Sequence, residues 1–374
     1  MKRVLYIDRS FKNEIGGDKN RSRYLYSVLQ SKYSTHCCIA LWPGEEKKDD
    51  ADLYIETGDF KKPLMPYAIL NISNKDVFQV MAYIKQHNIS IVFVRTIAFA
   101  ELVNKLRETI PHIKVIVDVD LLLSRLMKQA WSASPSLKNR FYLIQWVLLH
   151  FYEAKLFQRD YMFLLTNQTE LDELRLTHSA TKFEYLQNTT DLLPEDPGVG
   201  KLKEIVFYGS MDSSANAAGY RFIVDRLYPL VEDYLYQQGY SIIIAGKGCE
   251  KLPVTKHKCL KVVGKVESIE DLLKQSAFVL LPIFIASGTN TRVIESSMAG
   301  RAVLTTPLAM EGLVKVVNQD YIVNDEYKMT DVVKSMIQDA EYTIQLASDL
   351  QQEILKEFSF KGFGKKVELI VDGC

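Results

Sequence analysis

Arg292 and Glu295 stand three residues apart in SGTNTRVIESSMAGRAVLTT, residues 287–306, directly after a glycine-bearing loop. On a helix that spacing puts both side chains on one face. The apolar run 277–283 leads into the loop, AVLTT at 302–306 leads out, and Gly300 supplies a helix stop. The segment therefore reads strand, loop, helix, turn, strand. In such a unit the loop sits at the carboxyl end of the strand, where the first amides of the helix favour an anion. A diphosphate suits that position: Arg292 would hold it while Glu295 accepts hydrogen bonds from ribose hydroxyls. The plain alternative is an exposed helical ion pair beside an ordinary loop glycine.

These residues need a scaffold. In the first half, short apolar strand candidates (4–7, 36–41, 89–94, 114–117, 162–165 and 183–186) alternate with helical periodicity, notably over 21–30, 76–87 and 99–108. That alternation predicts an α/β chain with a parallel sheet covered on both faces. Pro194, Pro197, Gly198 and Gly200 break the pattern, and a second alternating series starts at Glu204. The expected layout is a first domain over 1–190, a linker over 191–203, a second domain over 204–356 and a terminal helix over 357–374. Two such sheets would turn their strand carboxyl ends toward a shared central cleft.

The 374 residues carry 46 Lys and Arg against 46 Asp and Glu. Residues 1–190 hold 26 cations against 21 anions, a surplus of +5 matched by −5 in the remainder. No concentrated basic face is evident, which argues against nucleic acid as the partner. Five cysteines (Cys37, Cys38, Cys249, Cys259 and Cys374) form no CxxC pair and have no histidine at metal-ligand spacing, so they read as reduced thiols. The short apolar start, turning polar at Asp8, reads as a buried strand and not as a secretory leader, so the expectation is a cytoplasmic protein. Residues 141–157 are the most apolar helical stretch, yet polar residues interrupt them and they fall short of a bilayer span. Residues 121–159 mix Arg125, Lys128, Lys138, Arg140 and Arg159 with Trp131, Phe141, Trp146 and Phe151. That composition fits an interfacial helix in peripheral membrane contact, and it also fits ordinary core packing.

SGTNTRVIESSMAGRAVLTTPLAMEGL resembles the donor-site signature of retaining GT-B glycosyltransferases, glycosyltransferase family 4. Four further blocks fall in that family's order: IVFYGSMDSSANAAGYRFIVDRLYPLV from Ile205, SIIIAGKGCEKL from Ser241, VVGKVESIEDLLKQSAFVLLPI from Val262, and EFSFKGFGKKVELIV near the end. In the first half the match is confined to Gly16-Gly17, VIVDVD at 115–120 and YEAKLFQRDYMFLLTNQTELDEL from Tyr152. The resemblance implies a GT-B fold, two Rossmann-like parallel-sheet domains facing a cleft, with the last helix crossing back onto the first domain. Phe360, Phe363, Val367 and Ile370 lie at helical spacing for that role, or for a simply packed terminal helix.

It also implies roles for particular positions. Glu295 would bind the donor ribose, and the loop of Ser287, Gly288, Thr289 and Asn290 would meet the phosphates through backbone amides, with Arg292 as the basic position. Many members carry a glutamate eight residues before the second carboxylate, where this chain has Ser287. Many have an arginine and a lysine in the region of GSMDSSANAAG, where Gly209, Ser210 and Asn216 stand here. Arg292, and with it Lys247 of the AGKG turn, would then carry the compensating charge, although Lys247 reads first as a solvated loop lysine. Val266 matches the position that meets the nucleobase, and Gly16-Gly17 the first-domain loop near the donor phosphate or acceptor. Asp120, with Asp118 as the second choice, is the candidate to orient or deprotonate an acceptor hydroxyl; a helix N-cap is the alternative.

The implied chemistry is transfer of a sugar, with retention, from a nucleoside-diphosphate donor, UDP or GDP, to a saccharide or lipid-linked glycan acceptor in polysaccharide, lipopolysaccharide or glycoconjugate biosynthesis. It needs no metal and no further cofactor. A sugar-nucleotide epimerase and a non-catalytic partner subunit are the alternatives, the latter motivated by the missing glutamate and cations.

Overall fold

The computed structural model describes residues 1–9, 11, 17–47, 50–58, 65–133, 135–136, 139–252, 257–313 and 319–374. Gly16 lies outside them. The chain forms two compact units, one of residues 1–188 and 361–374, the other of residues 189–360.

The first unit runs β1 (Arg3–Arg9), α1 (Gly17–Lys32), β2 (Ser34–Leu41), β3 (Leu53–Glu56), α2 (Asn74–Gln86), β4 (Ile91–Arg95), α3 (Ala100–Thr109), β5 (Lys114–Asp118), α4 (Leu123–Ala133), α5 (Arg140–Leu156), β6 (Met162–Leu165), α6 (Gln168–Thr177) and β7 (Lys182–Tyr185). All seven strands pair in parallel in the order β3-β2-β1-β4-β5-β6-β7. Strands such as VLYI and IVFV are β-branched and apolar on both faces because helices cover both sides of the sheet. The direction of strand addition reverses between β1 and β4, so the carboxyl ends of β1, β4 and β5 meet at the switch point. Side-chain caps fix helix starts: Ser73 accepts the Asp76 amide ahead of α2, and Asn167 accepts those of Thr169 and Glu170 ahead of α6.

The second unit continues β8 (Glu204–Tyr208), α7 (Ser214–Phe222), α8 (Tyr228–Gln238), β9 (Ser241–Ala245), β10 (Leu260–Gly264), α9 (Ile269–Gln275), β11 (Phe278–Leu281), α10 (Thr291–Met298), β12 (Val303–Thr305), α11 (Pro307–Met310), α12 (Glu326–Gln338) and α13 (Ala340–Glu357). Its five parallel strands are ordered β10-β9-β8-β11-β12, with the reversal between β8 and β11. The loops after those two strands carry Gly209 and residues 287–290.

Three features depart from a plain reading of the sequence. Strand β3 is only LYIE, with two buried side chains, too short for alternation to register. The stretch 191–203 has no helix or strand, but it is bonded to the second unit: Glu195 N to Met298 O at 2.8 Å, Gly198 N to Gly300 O at 3.0 Å and Gly200 N to Ser276 O at 2.8 Å. Its glycines are required sterically, since a Cβ on Gly200 would stand 2.1 Å from the Gln275 carbonyl oxygen. The last helix, α14 (Phe360–Asp372), buries Phe363, Val367 and Val371 in the first unit's core with β1 and α1 residues, while Phe360 is exposed and Ile370 half-buried. Lys2 Nζ donates to the Val371 carbonyl at 2.8 Å and Tyr33 Oη to Asp372 Oδ1 at 3.0 Å, fixing its far end.

All five cysteines are free thiols. Among the described residues no helix is long and apolar enough to cross a membrane, and no group of three or more His, Cys, Asp or Glu side chains could hold a metal ion.

Candidate active site

In the second unit, α10 starts at the end of the 287–290 loop. Asn290 is its N-cap and accepts the Arg292 amide at 3.2 Å. Ser287 and Thr289 are buried, and Gly288 has a φ of +68°. Arg292 and Glu295 do share a face, and a residue outside the sequence reading joins them. Tyr208, the last residue of β8, donates its hydroxyl to Glu295 Oε2 at 3.0 Å, while its carbonyl accepts Arg292 Nη1 at 2.9 Å. The same hydroxyl lies 3.1 Å from the Arg292 carbonyl. Burial, then the Glu295 charge, pushes the Tyr208 phenol well above its ordinary range, so it stays a donor and holds Glu295 in place.

Arg292 is thus a cation whose side-chain partner is a neutral carbonyl, and no carboxylate lies within ion-pair distance of it among the described residues. Burial lowers its pKa from the ordinary value, against the opposing pull of Tyr208 and Glu295. A guanidinium in that state is suited to an anionic ligand.

Gly209 lies against it. A Cβ on Gly209 would stand 3.0 Å from Arg292 Nη1 and 2.6 Å from Asn216 Nδ2, and its φ of +144° also excludes other residues. Asn216 is buried and donates Nδ2 to the Ser210 carbonyl at 2.8 Å, which ties the start of α7 to the loop. Gly246 after β9 completes the packing: its Cβ would fall 2.0 Å from the Gly209 carbonyl oxygen. The two backbones meet because neither residue has a side chain. Lys247 is exposed at this turn, with its carbonyl accepting the Met211 amide at 2.7 Å. Val266, two residues past β10, is half-buried against the second core. The structure therefore groups Gly209, Ser210, Asn216, Arg292 and Glu295 and places Lys247 on the adjoining turn. Tyr208 and Gly246 are the residues that sequence reasoning missed. Their signal was the strand ends IVFYG and IIIAG, each finishing at the sheet's carboxyl edge.

In the first unit, Gly17 opens α1. At the carboxyl ends of β1, β4 and β5 lies a buried cage of charge. Arg21 of α1 donates Nε and Nη2 to the two oxygens of Asp118 at 2.9 and 2.8 Å, and its Nη1 to the Gln187 carbonyl and Asn188 Oδ1, both at 2.9 Å. Arg95 donates Nη1 to Asp118 Oδ2 at 2.6 Å, Nη2 to Asp120 Oδ2 at 3.0 Å and Nε to Ser22 Oγ at 3.1 Å. Burial acts to raise the Asp118 carboxyl, but the two guanidinium groups outweigh it and hold it below the ordinary range. Asp8 shows the opposite balance: burial raises it even with Arg95 4.0 Å away.

The two sequence candidates therefore sit in different states. Asp118 has no exposed surface and both oxygens taken, so it anchors the cage. Asp120 is just past the strand in a left-handed conformation, φ +56°, fixed by Arg95 on its side chain and by Thr166 Oγ1 donating to its carbonyl at 3.0 Å. It is the one with an edge open to solvent, at 9% exposure.

No curated protein matches the chain. Solved structures do match it over its full length. A sucrose-phosphate synthase from Thermosynechococcus elongatus aligns with a TM-score of 0.70 at 11% identity, covering 100% of this chain and 99% of that one. Anabaena HepE, in complex with UDP and glucose, aligns with a TM-score of 0.68 at 12% identity over 100% of both chains. Staphylococcus aureus TarM, a variant in complex with Fondaparinux, alpha-GlcNAc-glycerol and UDP, aligns with a TM-score of 0.68 at 8% identity over 98% of this chain and 99% of that one. With one seven-stranded and one five-stranded parallel sheet, the fold is the two-unit α/β arrangement of these GT-B glycosyltransferases. The family model of Glycosyl transferases group 1 matches residues 202–339, a span that runs from β8 to α12 and takes in every residue of the site from Tyr208 to Glu295.

Proposed function

We propose that the protein is a retaining glycosyltransferase that moves a sugar from a nucleoside-diphosphate sugar to a hydroxyl on a saccharide or lipid-linked glycan, in the cytoplasm and in the service of glycan biosynthesis. The observation that carries the reading is the Arg292 guanidinium, packed against Gly209 at the start of α10 with, among the described residues, a neutral carbonyl as its side-chain partner. A departing diphosphate develops negative charge, and a fixed cation beside helix amides stabilises it without a metal.

In this reading Glu295, positioned by Tyr208, accepts the ribose hydroxyls. Gly209 and residues 287–290 give the diphosphate access to backbone, and Val266 lies toward the base. Asp120 orients or deprotonates the acceptor hydroxyl. HepE and TarM were solved with UDP, which makes UDP the first nucleotide to test and GDP the second.

Calorimetric titration of UDP and GDP into the wild type, Arg292→Ala and Glu295→Ala tests it. Loss of a charged hydrogen-bonded contact should weaken the bound nucleotide by about 1.5–3 kcal/mol. Unchanged binding in both variants would end the donor-site assignment.

A further inference from the structure

Helix α5 packs one face inward and exposes an apolar face on the other side. Its inner face buries Gln145, Leu149, Glu153 and Leu156 against the first unit. Its outer face exposes Phe141 at 46%, Ile144 at 53%, Val147 at 43% and Phe151 at 68%. At the helical step of about 100° per residue those four fall within roughly a third of the circumference, and Arg140 and Lys155, both exposed, fall in the same arc at its two ends. Tyr67, itself exposed, extends the apolar surface by packing on Phe141 with ring centroids 5.4 Å apart. Lys128 of α4 lies over the Trp146 ring at 5.4 Å. A contiguous exposed apolar face of this kind marks an interaction surface.

Charge selects the occupant. Residues 121–152 contain no Asp or Glu. The sole carboxylate of α4 and α5, Glu153, points inward, accepting the Ser124 amide at 3.1 Å and the Ser124 hydroxyl. Arg125 turns to Glu170 and Glu173 of α6, 3.6 Å from each. The outer surface of α5 therefore presents aromatic and aliphatic side chains bracketed by Arg140 and Lys155. A second copy would oppose cations with cations, and a nucleic acid would leave the apolar stripe in water. An anionic lipid surface satisfies both, because side chains enter the acyl boundary while cations meet the headgroups.

We propose that the outer face of α5 docks the protein onto an anionic bilayer, with Phe141, Ile144, Val147 and Phe151 inserted and Arg140 and Lys155 at the headgroups. This stands independently of the sugar-transfer reading. Full-length protein would be sedimented with vesicles of phosphatidylcholine containing about 30% phosphatidylglycerol, and with phosphatidylcholine alone. The wild type should pellet with the mixed vesicles only. Ile144→Asp/Phe151→Asp and Arg140→Glu/Lys155→Glu should each weaken binding at least about tenfold while melting like the wild type, since all four residues are exposed. Equal pelleting with both vesicle types, failure to pellet with either, or double variants that bind like the wild type would overturn it. So would a concentration-dependent dimer that Ile144→Asp/Phe151→Asp abolishes, because the face would then belong to a second copy.

Discussion

Arg95 and Asp118 are direct neighbours across β4 and β5, and the guanidinium of one meets the carboxylate of the other at 2.6 Å with almost no solvent on either. Truncating Arg95 takes from buried Asp118 one of the two guanidinium groups that hold it and from Asp120 its ion pair. Arg95→Met should therefore cost about 3–5 kcal/mol of stability in urea unfolding. Asp118→Asn should cost a comparable amount, because two guanidinium groups lose the carboxylate that they share.

The depressed Asp118 carboxyl also sets an acid limit. Its folded value lies below its unfolded one, so its contribution is present above the ordinary carboxylate range and is lost as pH falls through the folded value. A pH series of unfolding midpoints should fall steeply below about pH 4, and Arg21→Met, which lets the folded value rise toward the unfolded one, should make that fall shallower. A flat acid profile in the wild type would contradict the cage as described.

Glu153 works in the other direction. Burial lifts it to about 7 from its ordinary 4.5, against the bonds from Ser124. Its folded value is raised, so the protein loses stability as pH rises from 4.5 toward 7, by about 3 kcal/mol at most. Glu153→Gln keeps an acceptor for the Ser124 amide and cannot ionise. It should match the wild type near pH 4.5, and above pH 7 it should be the more stable by up to that amount.

Gly246→Ala would drive a methyl into the Gly209 carbonyl, 2.0 Å from the built Cβ, in a backbone conformation that L residues avoid. The β8 loop must shift, taking Arg292 off its seat on the Tyr208 carbonyl. The expected result is loss of about 2–4 kcal/mol together with weakened nucleotide binding. Tyr208→Phe is the milder companion: it removes one donor from Glu295 Oε2, and calorimetry should record roughly a fivefold weaker nucleotide.

Asp120→Asn separates chemistry from structure. Its edge is open where Asp118 is closed, so the variant should keep its fold and its nucleotide affinity while turnover falls by about two orders of magnitude or more, once an acceptor is in hand. Loss of folding in place of turnover would make Asp120 a strut of the cage.

The second unit's site was legible because its residues are local in sequence: the loop, Arg292 and Glu295 sit within nine positions, and helical spacing alone puts the charged pair on one face. The cage was not legible, because Arg21 and Asp118 are 97 residues apart and Arg21 and Asn188 are 167 apart. Only the chain fold joins them. The one local hint was Arg95 itself, a cation closing an otherwise apolar strand, IVFVR, which had to find an anion or stay unburied. The outer face of α5 was half-legible: composition showed cations among aromatic residues, but which side faced water depended on where the helix packs. Strand β3 escaped because four residues, of which only two are buried, give no period to read.

The Arg95 and Asp118 pairing bears on misfolding as well. Parallel strands of plain valine and isoleucine can slide past one another at little energetic cost, since one apolar residue fits nearly as well as the next. Slipping β5 by a single residue along β4 would put Val117 or Val119 beside the guanidinium in place of Asp118, and so take from a buried cation its shortest carboxylate contact. The cage thus acts as a key that only one alignment can turn, raising the energy of near-miss topologies far more than it needs to lower that of the native one.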